Sequence, residues 1–294
     1  MPSSFIIMKT LKYYFKKAYH EKFAIGHFNF SDFSQVKGIV AAAQNLKSPI
    51  ILGTSEEESK FVGLHEAVAI RNVLKKTTGL PIFLNLDHGK SFEYVKEAML
   101  AGYDMACFDG SKLTLKENIK ISKKVALFAK NKGVIVEGEV GRFGKDASRL
   151  YDEKFEIIEE DLTKIQEAVD YCNKTKIDLL AVNVGTFHGI DVNIISPSIK
   201  LDRLKEIKEK IRIPLVLHGG SGTSNEDIKK AIQSGIVKIN INTEIRLAFS
   251  NALRKSFEAN NSEITPYKYL QGPIKSVQAV VEEKIRLFGS ENKI

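Results

Sequence analysis

Residues 214–222 read Pro214-Leu215-Val216-Leu217-His218-Gly219-Gly220-Ser221-Gly222: a short apolar run that stops on a histidine and then on glycines around a serine. A continuous Leu/Val run of this length suits a parallel strand buried on both faces, and the glycines mark where the chain turns out of it. The pattern recurs along the chain. Strand-like runs lie at Phe23–Asn29, Pro49–Gly53, Pro81–Leu86, Met105–Phe108, Val134–Glu139, Leu179–Val184, Pro214–Leu217 and Ile236–Ile241. Between them, apolar residues fall at helical spacing, as in Leu64, Val68, Ile70, Val73 and Leu74, or Val125, Leu127 and Phe128. Gly79-Leu80-Pro81, Gly102, Gly133 and Gly235 punctuate the alternation just before a strand. Eight strand–helix alternations in 294 residues predict an α/β fold, a closed (β/α)8 TIM barrel, with a doubly wound open sheet as the structural alternative. The expected organisation is a single barrel domain over residues 1–294 with a C-terminal helical extension.

Composition narrows the function classes. The chain is 43% hydrophobic and 27% charged, and no apolar run reaches the roughly 18 residues of a membrane span. Phe5 to Met8 is too short for the core of a secretory signal, so the expected address is cytoplasmic. Cys107 and Cys172 have no metal or redox spacing, and Cys107 reads as a buried reduced thiol. The 44 basic residues outnumber the 36 acidic ones, but they are scattered along amphipathic stretches such as Lys116–Lys132 and Lys200–Lys210. That distribution speaks against nucleic acid and for a general attraction to anionic, phosphorylated substrates.

Barrel chemistry sits at the C-terminal ends of the strands. Three of the six histidines fall there, each followed by glycine: His88, His188 and His218. Any one of them alone reads as an ordinary hydrogen-bonded histidine. Three at equivalent places predict a zinc site with an open fourth position. His20 and His65 read as solvent-facing and His27 as a packing residue. Asp87, Asp109, Glu137 and Glu139 gather at the same mouth. Asp87 adjoins His88 and is placed to act as a general base, Asp109 and Glu139 could hold a second metal position, and Glu137 reads as a supporting, salt-bridging carboxylate. Gly219 to Thr223 and Asn240-Ile241-Asn242-Thr243 lie after the seventh and eighth strands, where barrels commonly bind phosphate on backbone N–H groups and a helix N-terminus.

These motifs resemble the class II ketose-bisphosphate aldolases, the family of fructose- and tagatose-1,6-bisphosphate aldolases. The likeness spans nearly the whole chain. It runs from Gly26-His27-Phe28-Asn29, through Gly53-Thr54-Ser55, Asp87-His88-Gly89-Lys90-Ser91-Phe92 and Glu137-Gly138-Glu139-Val140-Gly141, to Lys238-Ile239-Asn240-Ile241-Asn242-Thr243-Glu244 and Leu287-Phe288-Gly289-Ser290. The resemblance implies Zn²⁺ on His88, His188 and His218, with Asp109 and Glu139 at a second divalent position. It implies dihydroxyacetone phosphate and a phosphorylated aldehyde or ketose as partners. Asp87 would shuttle a proton and Asn240 would hydrogen-bond the reacting carbons' oxygens. Gly189, Gly219, Gly220, Ser221, Asn242 and Thr243 would hold phosphate, a monovalent cation nearby, while Asn29 and Ser55 line the pocket. A homodimer or homotetramer is the implied assembly.

Two departures bear on the substrate. The loop after the fifth strand reads Gly141-Arg142-Phe143-Gly144-Lys145-Asp146-Ala147-Ser148, with Ala147 where the family carries a proton-transferring acid; Asp146, Asp152 and Glu153 are the candidate replacements. Thr265-Pro266-Tyr267 stands where the family has an arginine for the distal phosphate, with Lys268 adjacent. The leading expectation is cleavage of fructose 1,6-bisphosphate. The alternatives are the same lyase chemistry on tagatose bisphosphate or a deoxy-keto-gluconate phosphate, or a metal- and phosphate-binding barrel without activity.

Overall fold

The computed structural model describes residues 9–142, 150–151, 157–191 and 198–294. Its strands are β1 (Ile25–Asn29), β2 (Ile50–Ser55), β3 (Ile82–Gly89), β4 (Met105–Phe108), β5 (Ile135–Val140), β6 (Leu150–Tyr151), β7 (Leu179–Val182), β8 (Ile190–Asp191), β9 (Leu215–Leu217) and β10 (Ile236–Ile241). Its helices are α1 (Leu11–Glu21), α2 (Phe33–Leu46), α3 (Glu56–Val62), α4 (Leu64–Thr78), α5 (Phe92–Ala101), α6 (Leu115–Lys130), α7 (Ile165–Thr175), α8 (Leu201–Lys210), α9 (Asn225–Gln233), α10 (Thr243–Ala259), α11 (Pro266–Tyr269) and α12 (Gln271–Leu287).

Eight strands close into a barrel in the order β1-β2-β3-β4-β5-β7-β9-β10, all parallel, with β10 bonded back to β1. Closure leaves no open sheet edge and excludes the doubly wound alternative. The two-residue strands β6 and β8 pair with each other in parallel, in the connections that follow β5 and β7. All eight expected runs are strands. Those expected to start at Pro49, Pro81 and Pro214 start one residue later, since proline has no N–H to give to the ladder. The run expected to reach Val184 stops at Val182, where the Asn183 side-chain oxygen accepts from the Gly185 N–H at 2.9 Å and turns the chain.

Two apolar clusters hold the fold. The larger lies between the strands and the surrounding helices, with Leu52, Leu84, Val182 and Ile239 meeting Ile39, Val125, Leu204 and Val281. The smaller fills the barrel from below: Ile25, Ile51, Phe83, Met105, Ile135, Leu179, Val216 and Val237 pack with Leu11, Tyr14, Phe15 and Ala18 of α1. This helix, capped by Thr10, closes the N-terminal end of the barrel and leaves the opposite end for chemistry. Cys107 is buried and free, and Cys172 is also free.

Gly38 of α2 lies where α12 crosses it. A Cβ added there would come 2.6 Å from the Ile274 carbonyl oxygen and 2.9 Å from Val277 Cβ. Alanine ordinarily favours a helix over glycine by about 1 kcal/mol, but forced overpacking costs about 1–3 kcal/mol, so Gly38→Ala is expected to lower stability. Chemical denaturation measures the sign; a stabilised variant would contradict the close α2–α12 approach.

Candidate active site

Asp87 and His88 end β3, and a regular strand would point them to opposite faces. Here the β3–β4 register shifts between Leu86 and Gly89, and His88 takes a left-handed φ of 51°. This conformation is uncommon outside glycine, and strain of this kind gathers at functional sites. The shift brings both side chains to one mouth, with His88 Nε2 3.7 Å from Asp87 Oδ1.

The other two histidines arrive on the turns that follow β7 and β9. Thr186 Oγ1 donates to the His218 carbonyl oxygen at 2.8 Å, tying those turns together. Gly219, at φ 65°, lets them interlock, for a Cβ there would lie 2.3 Å from the Phe187 carbonyl oxygen. The result is a triangle of imidazoles. Ring centroids are 4.6 Å apart for His88 and His188, 4.7 Å for His88 and His218, and 5.7 Å for His188 and His218. One ring nitrogen from each lies within 4.8 Å of the other two, as does a second set, His88, Asp109 and Glu139.

His218 is held from behind. Its Nε2 lies 2.6 Å from Glu137 Oε1, while Lys238 Nζ donates to Glu137 Oε2 at 2.8 Å, and all three side chains are fully buried. A carboxylate on one imidazole nitrogen leaves the other, Nδ1, for a ligand and fixes the ring's orientation. Burial opposes ionisation of Glu137, but Lys238 and then His218 overcome it and hold its pKa down to about 2.

The mouth carries more negative than positive charge. Asp109 Oδ2 and Glu139 Oε2 lie 3.6 and 3.3 Å from His88 Nδ1, and Glu139 Oε2 is 3.5 Å from His218 Nδ1. Burial pulls the His88 pKa down, yet Asp87, Glu139 and Asp109 push it well above the ordinary imidazole value. Burial and the Asp109 charge raise the Glu139 pKa. His188 is driven well below its ordinary value, by burial first and then by the His88 and His218 charges, which outweigh the opposing pull of Asp87 and Asp109. The field that favours a proton on His88 equally favours a divalent cation among the three rings. Glu139 Oε2 and the Asn240 side-chain oxygen are buried there without a well-formed hydrogen bond. Three imidazoles, flanking carboxylates and these oxygens fit a zinc-type ion with an open position.

Asp87 is gripped from two sides: Asn240 Nδ2 donates to Oδ1 at 3.0 Å and Asn29 Nδ2 to Oδ2 at 3.1 Å. Burial would raise its pKa, but neighbouring positive charge, His88 foremost, holds it well below the usual carboxylate range. Ser55 caps α3 by accepting from the Glu58 N–H at 3.2 Å. Glu58 Oε2 accepts from Ser55 N at 2.7 Å and from Asn29 Nδ2 at 3.0 Å. His27 sits behind this row, fully buried, its Nε2 3.1 Å from Asn85 Nδ2 and its pKa pushed down to about 3 by burial. His20 and His65 are exposed.

On the opposite side lie Gly189 (φ 105°), the turn Gly219-Gly220-Ser221, and Asn242 and Thr243 at the start of α10. Helix α10 begins without a side-chain cap, and the Asn242 side-chain oxygen is buried without a partner. Its uncapped first turn offers N–H groups to an anion. Gly222 N–H is used differently, donating to Glu244 Oε1 at 3.0 Å, while Lys284 Nζ lies 2.6 Å from Glu244 Oε2. Asp146, Ala147, Asp152 and Glu153 lie outside the described residues. Lys268 is ion-paired with Glu263 at 3.2 Å, and Tyr267 is exposed.

The model of the family "Fructose-bisphosphate aldolase class-II" matches residues 9–293. The chain belongs to the class II aldolases. Family membership makes it a metal-dependent lyase of phosphorylated sugars. It is similar to a sulfofructosephosphate aldolase of Alkalicoccus urumqiensis, 34% identical over 279 residues and 95% of each chain. A 6-phospho-5-dehydro-2-deoxy-D-gluconate aldolase of Shouchella clausii is 36% identical over 276 residues, 93% of this chain and 92% of that one. A fructose-bisphosphate aldolase of Ureaplasma parvum is 36% identical over 287 residues, covering 95% and 96%. Among solved structures, the YdjI aldolase of Escherichia coli superposes with a TM-score of 0.81 at 27% identity, covering 98% of this chain and 99% of that one.

For a class II aldolase, three side chains at this mouth went unread in the sequence: Lys238, Glu58 and Arg246. Lys238 hides in an apolar strand, and Glu58 in an acidic helix start that reads as a solvated run. Only the barrel order brings them to the site.

Lys238→Met strands the Glu137 carboxylate beside a single partner, and breaking a buried pair in this way costs about 3–5 kcal/mol. With His218 less well held, zinc affinity is expected to fall by roughly 10- to 100-fold. Competition with a chromogenic chelator measures it, and unchanged affinity would detach Glu137 and Lys238 from the imidazole triangle.

Proposed function

We propose that this class II aldolase reversibly cleaves a ketose 1,6-bisphosphate, fructose 1,6-bisphosphate first, to dihydroxyacetone phosphate and an aldehyde phosphate, with zinc held by His88, His188 and His218. The observation that carries this reading is the imidazole triangle beside an ionised Asp87 gripped by two amides. When bound, the zinc supplies a Lewis acid for the ketose carbonyl.

The chain's own residues supply the rest. Cleavage requires a proton to leave the hydroxyl whose oxygen becomes the aldehyde oxygen, and Asp87, held ionised, accepts it. Asn240 orients Asp87 through its amide nitrogen and keeps its amide oxygen for a substrate hydroxyl. Asn29 does the same from the other side, and Ser55 shapes the pocket next to it. Gly189, Gly219, Gly220, Ser221, Asn242 and Thr243 take the phosphate of the dihydroxyacetone half, with a monovalent cation nearby. Asp109 and Glu139 serve a second divalent position.

A second reading changes the aldehyde half. It is favoured by the near-equal identity to relatives named for sulfofructosephosphate, a phosphorylated deoxy-dehydro-gluconate and fructose bisphosphate. Tagatose bisphosphate belongs with these alternatives. An inactive barrel is disfavoured by the intact mouth around Asp87. We further propose that the chain works as one barrel domain with its C-terminal helices, in the cytoplasm, as a homodimer or homotetramer. Exposed Phe257, Ile264 and Tyr267 near the end of α10 and on α11 support such an assembly.

Coupled assays of fructose and tagatose 1,6-bisphosphate cleavage, with chelator and zinc add-back, test the proposal. Chelator-sensitive, zinc-restored turnover is expected, and Asp87→Ala should keep zinc while losing about 10²–10⁴-fold in kcat. Full activity of that variant would remove Asp87 from the mechanism.

A further inference from the structure

Lys284 of α12 is buried although it carries a full charge. Its side chain is 8% exposed, and its helix neighbours Val281 and Ile285 belong to the apolar core. Its Nζ lies 2.6 Å from Glu244 Oε2, while Glu283, at 3.5 Å, is itself mostly in water. A buried ion pair seldom adds stability over well-packed apolar side chains. Stability alone therefore does not account for a lysine at this position.

Its partner stands at the phosphate side of the mouth. Glu244 is in the first turn of α10, the helix start proposed for the substrate phosphate, and its Oε1 accepts the Gly222 N–H at 3.0 Å. Gly222 follows Gly219-Gly220-Ser221, the turn assigned to the same phosphate. Gly219 and Gly222 are both left-handed, at φ 65° and 77°, a region that glycine enters and leaves freely. Between them Gly220 is packed on β10, where an added Cβ would come 2.6 Å from Ile239 Cγ2. Glu244 thus ties down the end of a turn that its own glycines leave pliable. The tie has an electrostatic consequence. A carboxylate suits a helix start by itself, but it repels a phosphate dianion seeking the same N–H groups. Lys284 on Oε2 offsets that charge and leaves Oε1 to Gly222.

We infer that Lys284 is a positioning residue for phosphate binding: it neutralises Glu244 at the helix start and holds that carboxylate on Gly222. It acts through Glu244 and not on the substrate, so the C-terminal helix α12 sets how tightly the site takes a phosphate. A purely structural pair between α10 and α12 would change stability and leave phosphate affinity alone.

This inference rests on the phosphate site of the proposed aldolase, and two readouts separate its failure from the failure of that reading. On the zinc-loaded full chain, calorimetry gives the dissociation constant of inorganic phosphate. Addition assays with D-glyceraldehyde 3-phosphate give KM and kcat for dihydroxyacetone phosphate. Lys284→Met leaves Glu244 uncompensated and is expected to raise the phosphate dissociation constant and KM by roughly 3- to 10-fold, with kcat changed less than about twofold. Glu244→Gln removes the repelling charge, and its amide oxygen can still accept from Gly222, so phosphate binding should be at least as tight as in the wild type. The double variant Lys284→Met/Glu244→Gln removes both charges and should return KM to within about twofold of the wild-type value. A Lys284→Met variant of lowered melting temperature and unchanged phosphate affinity would overturn the inference. Weakened binding in Glu244→Gln would also overturn it, and that test stands even where Lys284→Met does not fold. A wild type that binds phosphate but neither cleaves nor forms a ketose bisphosphate would instead overturn the aldolase reading, with calorimetry still deciding the role of Lys284.

Discussion

Glu137 is the constraint on which this barrel's mouth depends. Its carboxylate is completely buried between Lys238 Nζ and His218 Nε2. An unpaired charge in that position would cost several kcal/mol, and even a paired one gives little net stability over an apolar replacement. Its value lies in geometry. Lys238 from β10 and Glu137 from β5 reach across the barrel to the histidine that follows β9, so the ring orientation is set by strands packed from outside. The active end of the fold is thus braced by a charge chain that the rest of the barrel keeps dry.

Above this brace the electrostatics turn negative. Asp87, Asp109 and Glu139 surround His88 and His218 in a chain whose formal net charge is +8. A basic exterior steers phosphorylated substrates, while the acidic pit favours a cation. The left-handed turn at His88 lets one strand end deliver both a metal-type ligand and a carboxylate. Asn29 and Asn240 then fix that carboxylate by donating to one oxygen each. The two sides of the mouth are chemically distinct: glycine turns and a helix start beyond β9 and β10, and the side chains of Asn29 and Ser55 at the ends of β1 and β2.

Much of this was legible in the sequence because it depends on local patterns. Continuous apolar runs with glycine stops located all eight barrel strands, and the His-Gly pairs located the three imidazoles. Glu137 was read as a supporting carboxylate and His27 as a packing residue, as the structure has them. Long-range features were less accessible. The sequence offers no local sign that Lys238, in the middle of an apolar strand, finds its partner on Glu137, 101 positions away. Period-two reasoning sends Asp87 and His88 to opposite faces, and only the β3–β4 register shift reunites them. The α1 plug was missed because its apolar residues, interleaved with lysines, resemble a surface helix until the barrel floor is there to receive them.

The central claim is that His88, His188 and His218 together hold the metal. An alternative donor set, Cys107 with Glu137 and His218, lies close by in the same barrel. X-ray absorption spectroscopy on the zinc-loaded protein separates them. The account predicts three imidazole nitrogens at about 2.0–2.1 Å and no sulfur in the inner shell. A Zn–S distance of about 2.3 Å would place the metal on Cys107 and contradict it.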